Sequence, residues 1–85
     1  GGQAQNRMIC LYVIESLKRK YRYIGITNNL ERRIAQHNNG YNTSTKSHAP
    51  FRVVFTETYQ NYNDARVREK FLKSGIGRKY LNSLK

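Results

Sequence analysis

The chain has few acids, almost no cysteine and no long apolar run. Among 85 residues there are five Asp or Glu, one Cys and no Trp. The single Cys10 excludes an internal disulfide and a metal site built from cysteines alone. It sits in the apolar stretch MICLYVI, residues 8–14, which suits a buried thiol better than a reactive one. A reducing interior is then the natural compartment. No apolar run approaches membrane-spanning length, and no signal-peptide pattern is visible, so no membrane partner is expected. A two-metal centre wants several convergent carboxylates. Five acids in all therefore argue for one metal at most.

What is abundant is positive charge. Sixteen Lys and Arg give a formal net charge of +11. On so small a domain this charge repels itself, which points to a polyanionic partner. Nucleic acid is the first candidate and an acidic membrane surface the second. The second wants a basic helix with a bulky apolar face, and none is clean here. A hydrophobic content of 38%, with seven tyrosines among the large side chains, is enough for one small core. Residues 1–7 are read as a disordered end or an expression remnant, and residues 8–85 as a single domain.

Residues 8–14 are apolar on both parities and read as a central strand. Tyr12 is the polar exception. A mid-strand tyrosine is more often core, with its hydroxyl satisfied at the edge, than functional. Residues 15–20 form a charged loop whose tip is Lys18, Arg19 and Lys20. Residues 21–25 return as a second strand, and the short connection argues an antiparallel hairpin that brings Tyr12 near Tyr23. Gly25 closes that strand where a turn or a close approach needs no Cβ. Asn28 is the expected cap of the first helix, and Glu31 completes a capping box. Leu30 and Ile34 form its buried stripe. Arg33 and His37 lie four apart on a face bordering that stripe. They can meet a phosphate, or simply be the charge that most surface helices carry.

Asn38, Asn39 and Gly40 end the helix, with Gly40 as a left-handed cap. Residues 41–50 form a polar loop. In it Lys46 suits a phosphate and plain solvent equally, and His48 is read as solvated. Residues 51–59 form the third strand, with Phe51, Val53 and Phe55 on one face and Arg52, Val54 and Thr56 on the other. Asn63 or Asp64 is expected to cap a second helix. Glu69 falls on its buried stripe between Ala65 and Leu72, beside a stripe of Val67 and Phe71. A buried acid is rare unless paired or bound to a metal. Here it either pairs with Arg33 or Arg66 or does chemistry. Residues 76–84 read as a last short helix that packs Ile76, Tyr80, Leu81 and Leu84 and keeps Arg78 and Lys79 outside. The fold class is α+β: a small three-stranded antiparallel or mixed sheet flanked by helices, in the order β-β-α-β-α-α.

Tyr12, Tyr23, Arg33, His37 and Glu69 together are the types that phosphodiester hydrolysis needs. A cation and an arginine stabilise charge on the phosphate. A tyrosine or a histidine takes the proton of the attacking water. One carboxylate with waters and a substrate phosphate suffices to hold Mg²⁺.

These residues carry a resemblance. LYV at residues 11–13 followed by YIG at residues 23–25 resembles the paired motif of the GIY-YIG nucleases. Arg33 lies ten residues after Tyr23, and His37 follows it. Glu69 opens EKFLKSGIGR. STK at residues 44–46 and REKFLKSGIGRKYL at residues 68–81 are most similar to small stand-alone members, which resemble the nuclease domain of bacterial excision repair. The likeness implies a metal-dependent DNA endonuclease with catalytic Tyr12, Tyr23, Arg33, His37 and Glu69. Glu69 would bind one Mg²⁺ or Mn²⁺, and Arg33 would hold the scissile phosphate. Either tyrosine would serve as base, with His37 relaying or orienting. Cys10 stands where the first motif usually has glycine, and Asn82 is near a late asparagine of the family.

Lys46, Arg68, Arg78 and Lys79 are candidate nucleic-acid contacts. With no second DNA-binding domain, binding should be salt-dependent and weakly sequence-specific. A repair, recombination or mobile-element role is expected, in a cytoplasmic, nucleoid-associated setting if the source is bacterial. A monomer is expected, with a protein partner possible for targeting. The alternatives are a non-catalytic basic nucleic-acid-binding module and an RNA nuclease.

Overall fold

The computed structural model describes residues 8–84. The reading of residues 1–7 lies outside the described residues. The order is β1 (Ile9–Ser16), β2 (Arg22–Thr27), α1 (Leu30–Asn38), β3 (Phe51–Tyr59), α2 (Tyr62–Leu72) and α3 (Gly75–Ser83), with a 3-10 turn at Lys46–His48. The α+β order is as expected, and the sheet is antiparallel throughout in the order β2-β1-β3.

Apolar residues on both parities of β1 make it the centre of two half-cores. Leu11 and Val13 join Ile24, Leu72 and Leu81 on one face, under α2 and α3. Tyr12 and Ile14 join Phe51 on the other, where Leu30 and Ile34 of α1 pack. The sheet is therefore sandwiched, with α1 on one face and α2 and α3 on the other. Gly77 lets α3 seat tightly on α2, since a Cβ there would strike the Phe71 carbonyl and the Leu72 backbone.

Several local expectations are corrected. β2 runs past Gly25 to Thr27. Asn29, not Asn28, caps α1 by accepting from Arg32 N at 3.1 Å. The Thr27 hydroxyl accepts from Asn29 N at 3.1 Å and carries the turn one residue further. Glu31 stays exposed in the first turn, where its charge suits the helix dipole. Asn61, not Asn63 or Asp64, caps α2 through Asp64 N at 2.9 Å. Gly40 has φ +78, the left-handed conformation expected of it.

Phe51 and Phe55 lie on opposite faces, not on one. Val13 pairs with Phe55 while Ile14 pairs with Val53, so Val54 is an extra residue and the alternation inverts at this bulge. Val67 and Ile76 are 73% and 72% exposed, and Phe71 and Leu84 are exposed as well. A sheet only three strands wide covers one stripe of each helix, and Leu72 and Leu81 take those places.

Candidate active site

Pairing of β1 with β2 sets Tyr12 directly opposite Gly25. A Cβ at position 25 would lie 2.6 Å from Tyr12 Oη and 2.7 Å from its Cζ. The missing side chain is the space that the end of the Tyr12 ring fills. Gly25 thus serves close approach within a strand instead of closing one.

Tyr12 is 1% exposed, and His37 and Thr45 are completely buried. Tyr12 Oη lies 2.9 Å from His37 Nε2, and His37 Nδ1 lies 2.9 Å from Thr45 Oγ1. Thr45 Oγ1 donates to the Asn42 carbonyl at 3.4 Å. With its own proton so used, Thr45 accepts from Nδ1–H. Nε2 is then the acceptor, and Tyr12 donates to it. Burial and the nearby Arg33 charge both hold His37 below the usual histidine range, which keeps the ring neutral in this chain.

Burial pushes the Tyr12 phenol far above the ordinary tyrosine range. Tyr23 and Glu69 add to that rise and Arg33 opposes it. The charges of α1 and α2 are thus both felt at Tyr12. Tyr23 is half-buried, and its ring centroid is 6.2 Å from that of Tyr12 and 5.0 Å from that of His37. Arg33 is half-buried and donates to Gln36 Oε1 at 3.4 Å.

The Glu69 side chain is 19% exposed and its Oε2 pairs with Lys73 Nζ at 3.2 Å. The structural partner expected for it was Arg33 or Arg66. The i,i+4 spacing on α2 favours Lys73 instead. Among the described residues no three His, Cys, Asp or Glu gather around a common point, so a closed protein cage is absent there. A lone, partly exposed carboxylate whose lysine partner is 56% exposed fits a Mg²⁺-type ion that takes its other ligands from water and phosphate.

The other candidates fall elsewhere. Lys46 is exposed in the 3-10 turn that follows Thr45. Arg68 holds both oxygens of Glu57, at 3.0 and 3.2 Å, and lies over the rings of Phe71 and Tyr80. Arg78 and Lys79 are exposed on α3. Asn82 accepts from Arg22 at 2.9 Å. His48 is not simply solvated: its ring stacks on Tyr21 with centroids 3.7 Å apart, and its carbonyl accepts from Ser16 Oγ at 2.6 Å.

Sequence reasoning missed Thr45. Its one signal was a place in STK, but a loop without periodicity gives no register that would aim its hydroxyl at a helix histidine.

A sheet that sets the LYV and YIG tyrosines ring to ring, beside a helix bearing Arg33 and His37, defines a class. The chain belongs to the GIY-YIG family, a nuclease family: residues 8–82 match the GIY-YIG catalytic domain. It is 42% identical over 52 residues to the UPF0213 protein CPE1444 of Clostridium perfringens (strain 13 / Type A), covering 60% of this chain and 56% of that one. It is also 33% identical over 66 residues to the UPF0213 protein in ldhD 5'region of Pediococcus acidilactici, covering 74% of this chain and 67% of that one. The chain thus spans little more than half of the Clostridium relative. No solved structure matches it.

Proposed function

We propose that this domain is a metal-dependent endonuclease that hydrolyses phosphodiester bonds in DNA. The observation that carries the reading is the buried Tyr12–His37–Thr45 chain beside Tyr23, within electrostatic reach of Arg33 and Glu69. A binding surface needs no neutral histidine locked in one tautomer behind two tyrosines.

Exposure separates the tyrosines. Tyr23 is half-buried and meets the attacking water, whereas Tyr12 is sealed behind it. Tyr12 is too weak an acid to rest as a phenolate. Tyr23 takes the proton of the attacking water only as its own proton passes inward to Tyr12, whose proton passes in turn to His37 Nε2, 2.9 Å away. The imidazolium formed keeps donating to Thr45 and donates in turn to Tyr12. Arg33 holds the scissile phosphate and stabilises its growing charge. Glu69 would hold Mg²⁺ or Mn²⁺, which when bound supplies further charge neutralisation at the phosphate and leaving oxygen.

The substrate is DNA bound through a basic surface, which makes affinity fall steeply with salt. The protein acts as a monomer, in repair, recombination or a mobile element, in a bacterial cytoplasm if the source is bacterial. The substrate's own structure, or a protein partner that positions it, supplies the targeting signal. The Glu69–Lys73 pair favours a second reading, a non-catalytic binding module in which Glu69 is structural.

The deciding experiment incubates the protein with branched, flapped, nicked and plain duplex DNA in Mg²⁺, Mn²⁺ or EDTA, beside Arg33→Ala and Glu69→Ala. Metal-dependent cuts absent from both variants are expected. No cuts by the unaltered protein on any substrate, with salt-sensitive binding retained, would establish the binding module instead.

A further inference from the structure

β2 is an edge strand, and the surface along it is not uniform. Beside its first half runs a groove of about 500 Å³ lined by Lys20, Tyr21, Arg22, Tyr23, Lys73 and Arg78. Beside its second half and the start of α1 lies a polar hollow of about 300 Å³ lined by Arg32, Arg33, Gln36 and Tyr62 among others. One catalytic candidate lies in each. Tyr23 lines the groove and Arg33 lines the hollow. On α2, Glu69 lies in sequence between Tyr62 of the hollow and Lys73 of the groove.

We propose that this path binds a single-stranded DNA arm, threaded along the β2 edge with the scissile phosphate between the hollow and the groove. The inference rests on the nuclease reading and names its substrate: DNA with an unpaired strand at the cut, as in a flap or an overhang. Three observations carry it. The first is charge: Lys20 and Arg78, with Arg22 and Lys73 beside them each held at 3.2 Å by Glu15 and Glu69, lie on one side of the site, and Arg32 and Arg33 on the other, which suits a backbone that crosses the whole site.

The second is aromatic surface. Tyr21 and Tyr23 line the groove, and Tyr21 is held rigid by its parallel stack on His48. Bases free of a duplex stack on such rings whatever their sequence. In duplex DNA the base faces are already stacked on one another, so these tyrosines add nothing to its binding. The third is length. The six residues of β2 extend about 20 Å. That spans about six nucleotides at duplex spacing and fewer if the strand is extended.

The test measures binding in EDTA, so that it is independent of cutting. A fluorescent oligothymidine and a blunt duplex of equal length are titrated at several salt concentrations. The proteins are the unaltered chain, the double variant Lys20→Glu/Arg78→Glu, and the control Arg66→Glu, an exposed α2 site that lines neither pocket. Both groove positions are exposed, and circular dichroism verifies that each variant is folded.

The unaltered chain should bind the single strand more tightly than the duplex. The double variant should lose roughly tenfold or more in single-strand affinity, with the salt slope lowered by about two. The control should keep the slope. Equal affinity for duplex and single strand, or equal slopes in double variant and control, overturns the proposal. Cutting of flapped DNA by the unaltered chain is scored separately. Cutting with no groove effect removes the groove and leaves the nuclease. A groove effect without cutting leaves the strand site and removes the nuclease, and with it the scissile placement.

Discussion

Leu11 and Tyr12 are neighbours in β1, yet they enter two interiors built on different rules. Leu11 meets Val13, Ile24, Leu72 and Leu81, and every buried member of that cluster is aliphatic. Tyr12 meets an imidazole and, beyond it, a threonine hydroxyl, each completely buried and hydrogen-bonded. The aliphatic face gains by area removed from water, about 1.5–3 kcal/mol for each fully buried large side chain. The polar face gains little net from its hydrogen bonds, but leaving any one unmade is costly. The α2/α3 side therefore stabilises the sheet by buried area, and the α1 side ties Tyr12, His37 and Thr45 into one buried hydrogen-bonded chain.

Substitutions should separate the two faces. The largest effect on activity is expected for Glu69→Gln, a loss of about a thousandfold in cleavage, the scale of removing a charge-stabilising group. Binding measured in EDTA should be unchanged. Lost stability with cutting retained would instead make Glu69 a structural partner of Lys73.

Leu72→Ala is the opposite case. It should cost about 2–5 kcal/mol in urea unfolding and leave the turnover of the folded fraction intact.

The tyrosines sharpen the contrast within the polar face. Tyr23→Phe should lower cleavage about a hundredfold or more with stability nearly unchanged. Tyr12→Phe should also cost about 1–3 kcal/mol of stability, because His37 Nε2 is left buried without a donor. If Tyr12→Phe were the milder change in both measurements, the assignment of outer and inner tyrosine would reverse.

Thr45→Val should lower cleavage about 10- to 100-fold by releasing the His37 tautomer, and Thr45→Ser should restore most of it. Imidazole nitrogen shifts in NMR report the tautomer directly, which a merely structural threonine would not move.

The smallest effect is in pH. His37 titrates below its ordinary value of 6.5 in the folded chain, so between the two values the unfolded state binds more protons. Stability should be full above about pH 6.5 and decline as pH falls toward the folded value. Cleavage should fall in the same direction, since protonated His37 accepts nothing from Tyr12. The stability decline should vanish in His37→Gln.

Much of this was legible in the chain. Apolar residues on both parities marked β1 as central, the short connection to β2 marked a hairpin, and the spacing of Leu30 and Ile34 marked the inner stripe of α1. The acid on an apolar stripe singled out Glu69. Less legible were features that depend on partners distant in sequence. Phe51 and Phe55 share a parity in the chain, and nothing local announces the bulge at Val54 that sends them to opposite faces. Glu69 had several cations within plausible reach, and the helix turn decided for Lys73. Arg68 read as a phosphate contact, whereas in the fold Glu57 takes both ends of its guanidinium.

The sequence by itself determined the element order, the family motifs and the excess of positive charge, because these rest on composition and on contacts a few residues apart. Tertiary structure alone decided which tyrosine is sealed and which faces solvent, that Gly25 makes room for the Tyr12 ring, and that Thr45 orients His37. Each of these depends on atoms that are 8 to 25 residues apart in the chain and in hydrogen-bond or van der Waals contact in the fold. Such contacts arise only when the sheet pairs and α1 closes over it.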